Sequence, residues 1–104
     1  MYIMSKLVIA QPLEFNWDLH NIEKNWNKHN VHYKECEQAF INKPILIFKD
    51  VKHSQDEVRY TLFGQSDDKR QLSITYTMRS SQVRVISARD LNKKERSVYA
   101  KEAK

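Results

Sequence analysis

An α+β fold follows from the order of apolar patterns along the chain: two helices, then a mostly antiparallel sheet of four to five strands, then a closing helix. Three observations carry it. Before Asn42, apolar residues recur at helical spacing. From Ile45 to Ala88 they recur mainly at every second position, as strands require. Asn92 and Glu95 then form a helix-start pair ahead of a basic C-terminal stretch. The expected arrangement puts the helices on one face of the sheet and leaves the other face partly open.

Each element has a local reason. Residues 1–13 read as an extra arm or strand on a single domain spanning 1–104. Leu13 to Trp17 alternates as a short strand, and Asp18 is a good N-cap for the helix after it. In that helix Leu19, Ile22 and Trp26 form one apolar stripe, expected to face the core. Asn30 suits a left-handed C-cap. A second helix over about 33–41 places Tyr33, Cys36, Ala39 and Phe40 on one face, and Pro44 ends it. Ile45 to Phe48 is a continuous apolar run, so a strand covered on both faces. A polar loop from Asp50 to Asp56 holds His53. Strands follow over 58–63, 72–79 and 83–88, with Ser80-Ser81 as a tight hairpin connection.

Composition narrows the function. Cys36 is the sole cysteine, which excludes an internal disulfide and a multi-cysteine zinc site and fits a reducing cytoplasm. Gly64 is the sole glycine, so no glycine-rich phosphate loop or serine elbow exists. No apolar run approaches the ~20 residues of a spanning helix, and the N-terminus lacks a signal-peptide pattern. His20, His29 and His32 do not have zinc-site spacing, so no metal and no cofactor is expected.

Charge is unevenly placed. Residues 1–50 balance to zero, while residues 51–104 carry the whole net charge of +5 and all six arginines. Arginine grips phosphate bidentately, so the pattern points to RNA or DNA. Arg59, Arg79 and Arg84 lie on consecutive strands opposite their main apolar rows, although Ile86 shares the parity of Arg84. Neighbouring strands are about 5 Å apart, so such guanidinium groups can converge on one phosphate and stabilise a phosphoryl-transfer transition state. The plain alternative is a solvated sheet face. His53 beside Glu57 can supply acid–base chemistry near neutral pH, or merely cap a turn. Lys28 in Lys28-His29-Asn30 suits a helix C-terminus as well as an RNA contact.

Together these residues resemble the BrnT family of toxins from type II toxin–antitoxin pairs. The resemblance rests on Phe15-Asn16-Trp17-Asp18, Lys28-His29-Asn30-Val31, Asp50…His53-Ser54…Glu57-Val58-Arg59, Tyr76-Thr77-Met78-Arg79, Arg84-Val85-Ile86-Ser87-Ala88-Arg89 and Lys93-Lys94-Glu95-Arg96…Tyr99. The family has Gly where Asn30 stands here. The resemblance implies a RelE-like fold and a metal-independent ribonuclease that blocks translation and growth. It implies a BrnA-like antitoxin with a ribbon-helix-helix domain, a two-plus-two complex, and promoter binding through the antitoxin. By motif match, Arg59, Arg79 and Arg84 hold phosphate, and His53 and Glu57 are acid and base candidates. Lys28, Arg89, Lys93, Lys94 and Arg96 contact RNA backbone, or in the case of Arg89 and Arg96 pair with carboxylates inside the domain. Two other readings share these features: a non-catalytic nucleic-acid-binding module, and a subunit that only binds a partner.

Overall fold

The computed structural model describes residues 2–4, 13–52 and 56–102. The elements run β1 (Tyr2–Met4), β2 (Glu14–Phe15), α1 (Leu19–His29), α2 (Tyr33–Ala39), β3 (Leu46–Asp50), β4 (Tyr60–Gln65), β5 (Gln71–Arg79), β6 (Gln82–Asp90) and α3 (Lys93–Glu102). One sheet orders them β1-β3-β4-β5-β6-β2. The expected meander, β3 to β6, is antiparallel throughout. Two short strands extend it: β1 lies antiparallel on β3, and β2 lies parallel on β6.

The caps form as their residues dictate. Asp18 accepts from the Asn21 backbone N–H at 2.8 Å. Asn30 takes φ 54°, and its N–H closes on the last turn of α1. Asn92 and Glu95 bond reciprocally at 2.8 and 2.9 Å. The bonds at Asp18 and Asn92/Glu95 fill backbone N–H groups that a helix start leaves open, and the bond from Asn30 fills carbonyls that a helix end leaves open.

The sheet has two cores, one per face. Leu62, Leu72, Ile74, Tyr76, Val83 and Val85 pack beneath Cys36 and Ala39 of α2 and its C-cap Phe40. On the opposite face Leu46, Phe48 and Phe63 pack against Leu91 and Tyr99, and the Tyr99 hydroxyl donates to the Pro44 carbonyl at 2.7 Å. The strand run Ile45–Phe48 is therefore covered on both faces, as its apolar continuity requires. The helices divide between the faces because β3 and β4 carry apolar side chains on both. A partly open area remains on the α3 side.

Helix α1 departs from its expected orientation. Leu19 is 69% exposed and Trp26 51%, whereas Asn21 and Asn25 are buried. The cause is the edge of β6, which β2 pairs only at Gln82 and Val83. Beyond them the edge backbone needs partners. The Asn21 amide donates to the Val85 carbonyl, and the Lys24 ammonium donates to that of Ile86 at 3.1 Å. The Asn25 carbonyl oxygen accepts from the Ala88 N–H at 3.2 Å. A buried backbone group without a partner costs about 1–3 kcal/mol, comparable to the loss from exposing one large apolar side chain, and α1 satisfies the Val85, Ile86 and Ala88 backbone groups together.

The β5–β6 hairpin turns on Ser80 and Ser81 at φ 50° and 67°. Two left-handed residues make a type I′ turn, whose twist matches the strands but which serine adopts at a cost. Replacing the pair with Asn-Gly should raise stability by about 1 kcal/mol, read as a higher thermal midpoint. A lower midpoint would mean that the serine hydroxyls hold the turn.

Candidate nucleic-acid interface

The open area lies beside α3, on the face turned away from α2. Alternation places Thr77 and Arg79 of β5 there, and the register sets Arg84 opposite Thr77 and Gln82 opposite Arg79. Continuing the β4–β5 register past Tyr60 opposite Tyr76 brings Arg59 level with Thr77. A β-bulge explains the parity of Arg84. The register shifts at Thr75/Tyr76, so Val85 faces Tyr76 and Ser87 faces Thr75. Ile86 is thereby left without an opposite residue, and Arg84 and Ser87 share the open face. A row of hydroxyls, Thr61, Thr75 and Ser87, crosses the same face between the arginines and α3. Among them the Thr61 hydroxyl oxygen is buried without a hydrogen-bond partner.

Two of the expected phosphate ligands converge. Arg79 Nη2 lies 3.4 Å from Glu57 Oε1, and Arg59 Nη2 lies 4.0 Å from the same oxygen. A single carboxylate oxygen thus sits between two guanidinium groups, in the place a phosphate oxygen can take. Arg79 is half exposed at 51%, so a ligand reaches it from solvent.

Arg84 reaches the same face but is engaged within the domain. Its guanidinium donates to Asp18 Oδ2 at 2.6 Å, to Asn21 Oδ1 at 3.1 Å, and to both oxygens of Asn16 at 3.2 Å. It thereby anchors the start of α1 beside the open area and keeps a fixed positive charge there.

The remaining site expectations separate. His53 lies outside the described residues. Arg89 pairs bidentately with Glu95 at 2.6 and 2.9 Å. Arg96 donates to the Leu91 carbonyl at 2.9 Å, while Lys93 and Lys94 stand exposed on the first turn of α3. Lys28 is exposed on α1, in a hollow with His20, Glu23, Lys24 and Asn27. Burial pushes the Cys36 thiol up to about 12, so it is no nucleophile near neutral pH. Among the described residues no group of three His, Cys, Asp or Glu could hold a metal ion.

Sequence reasoning assigned no role to Arg70, yet it joins more elements than any arginine above. It donates to Asp90 at 2.7 Å, to Glu35 at 3.1 Å, and to the carbonyls of Asn30 and His29 at 2.8 and 3.1 Å. It ties both helices to the strand ends. The carboxyls in these arginine pairs respond to pH. The hydrogen bond from Arg70 holds Asp90 below its ordinary value, and the bond from Arg89 does the same for Glu95. A folded-state value depressed below the unfolded one adds stability above the unfolded value, and this is lost as pH falls through the folded value. The thermal midpoint should therefore fall as pH drops below about 4, and Glu95→Gln should flatten part of that fall. An acid limb identical in the variant would place the loss elsewhere.

The family described as ribonuclease toxin, BrnT, of type II toxin–antitoxin systems matches residues 17–95. The chain belongs to the BrnT family. The match covers α1 through the start of α3 and includes Glu57, Arg59, Arg79, Arg84 and Arg89. As a BrnT protein it is the toxin of a type II pair, with RNA as its substrate and a protein antitoxin as its partner. No curated protein matches this BrnT chain. Among its described residues no helix is long and apolar enough to cross a membrane.

Proposed function

We propose that this BrnT toxin is an endoribonuclease that cuts RNA on the open sheet face without a metal. The observation that carries the proposal is the convergence of Arg59 and Arg79 on one oxygen of Glu57. Two guanidinium groups so placed can bind the scissile phosphate and neutralise the charge that builds up as phosphorus becomes five-coordinate. That supplies the electrostatic part of the role a divalent cation plays in other nucleases. Arg84 adds a fixed charge beside them.

In the proposed step the 2′ oxygen attacks the adjacent phosphorus, and the bond from phosphorus to the 5′ oxygen breaks. Glu57, displaced from the guanidinium pair by the phosphate, takes the 2′-OH proton. His53 gives a proton to the leaving 5′ oxygen. The products are a 2′,3′-cyclic phosphate and a 5′-hydroxyl. Lys93, Lys94 and Arg96 extend the positive surface along α3 for the flanking strand, and Lys28 and Arg89 are the more distant contacts.

Cleavage of this kind arrests translation and growth in the cytoplasm. The proposed antitoxin is BrnA-like, with a ribbon-helix-helix domain that binds promoter DNA, in a two-plus-two complex with the toxin. The test is incubation of the purified toxin with a defined RNA in EDTA. Fragments ending in a 2′,3′-cyclic phosphate are expected. Fragments that appear only after Mg²⁺ is restored would remove metal independence. Salt-sensitive RNA binding with no fragments, even on translating ribosomes, would favour the plain binding module.

A further inference from the structure

Helix α1 borders the open sheet face, and its basic residues lie on that border. Asn21 and Asn25 point at the edge of β6. Successive helical residues are about 100° apart, so one flank of α1 lies to each side of that line. The flank of Ile22 and Trp26 turns toward α2, where the Trp26 ring meets His32 edge-on at 6.5 Å. Helix α2 covers the first core, so this flank is turned away from the arginine face. The other flank carries His20, Lys24 and Lys28, one turn apart, and is therefore turned to the open face. The Lys24 ammonium donates to the Ile86 carbonyl at 3.1 Å, two residues along β6 from Arg84. An ammonium carries further donors, so this bond leaves Lys24 able to bind an anion as well. A hollow of about 360 Å³ lies along the flank, lined by His20, Glu23, Lys24, Asn27 and Lys28. Glu23 stands on its outer rim, between the basic row and the apolar stripe.

We propose that the basic flank of α1 is a second RNA-binding surface, along which the single strand leaving the arginine site runs beside β6. The proposal rests on the reading that the scissile phosphate lies at Arg59 and Arg79 on the open sheet face. Two features select an RNA strand as the occupant. The first is continuity with the arginine face. Helix α1 runs alongside β6 in the same direction, since Asn21 meets Val85 and Asn25 meets Ala88. Its start is held at Arg84, through Asp18 at 2.6 Å. Its end is held at Asp90, because Arg70 bonds both Asp90 and the His29 carbonyl. A strand that leaves the arginines along β6 therefore meets the basic flank at once. The second feature is the repeat. The cations recur about every 6 Å along the helix, which suits a backbone of repeated phosphates and not a lone anion. From Asp18 to Lys28 the flank is about 15 Å long, room for roughly three or four nucleotides.

The experiment measures binding of the full toxin to single-stranded RNA whose riboses carry 2′-O-methyl groups, which block cutting. A short strand is lengthened by about four nucleotides at one end or at the other. In the parent, lengthening at one of the ends should tighten binding by roughly 10-fold. In His20→Gln/Lys28→Gln most of that gain should be lost. The slope of log Kd against log salt for the long strand should fall by about 0.7 for each phosphate contact removed. Lys34→Gln takes an exposed lysine from α2, on the opposite face, and should keep the gain. A gain that survives in the double variant would overturn the proposal. So would an equal loss in Lys34→Gln, since the effect would then be one of net charge alone. No gain from lengthening at either end would overturn it too. Cleavage of unmodified RNA by the parent is read separately. A toxin that shows the gain but cuts no RNA fails the nuclease reading and leaves this one standing, while one that cuts without the gain fails this one alone.

Discussion

Arg79→Ala is expected to lower the rate of RNA cleavage by about 100-fold or more while leaving the fold intact. Removing one preorganised donor from a transition-state site costs on the order of 10² to 10³ in rate. Arg79 has the geometry for that role: it stands at the end of β5, half exposed, and shares an oxygen of Glu57 with Arg59. Its ion pair contributes little to stability, because exposed pairs are worth about 1 kcal/mol or less. The thermal midpoint should thus move by a few degrees at most, and the loss should fall on turnover. Arg84→Ala should behave differently. It removes the group that bonds Asp18, Asn16 and Asn21, so it should lower the midpoint as well as the rate. A full cutting rate in Arg79→Ala would place the chemistry away from the Glu57 cluster.

Gly64→Ala should destabilise the fold by about 1–3 kcal/mol, the range for overpacking a well-filled core. A Cβ at Gly64 would meet the Ala39 carbonyl oxygen at 2.6 Å and Leu62 Cδ2 at 2.9 Å. Leucine can rotate, but the carbonyl belongs to the backbone of α2 and moves only with the helix. Gly64 is not there for its dihedral freedom, since it does not take a positive φ. It is there so that α2 can sit close on β4. For a domain of this size the loss corresponds to a midpoint lower by roughly 5–20 °C. A shift within 2 °C or so would mean that α2 slides without cost, and the close approach would then be incidental.

Much of the site was legible in the residues. Alternation along β4 and β5 was enough to set Arg59 and Arg79 on one face, because each strand shows one side chain in two to that face. The sequence set Glu57 with His53 as an acid–base candidate; its position between the two guanidinium groups was not legible, because it depends on how the strand ends meet. Arg84 was placed on the correct face without its partners. Those are Asn16, Asp18 and Asn21, more than 60 positions away in the chain. The Leu19, Ile22 and Trp26 stripe shows the same gap from the other side. Its spacing was real, but the spacing states only that one face of the helix is apolar.

What the chain determined alone was what neighbouring residues decide among themselves. The caps at Asp18, Asn30 and Asn92 join groups within a few residues of one another. The antiparallel meander follows from alternation and short turns, and the segregation of charge into residues 51–104 is a property of composition. The tertiary structure decided which face of α1 turns inward and which partners each arginine takes within the domain. Both depend on backbone and carboxylate groups from distant segments. The unpaired edge of β6 draws the amides of α1 inward, and Glu95, Asp90 and Asp18 take up Arg89, Arg70 and Arg84. A side chain's periodicity states where it can point; only the groups waiting there determine whether it does.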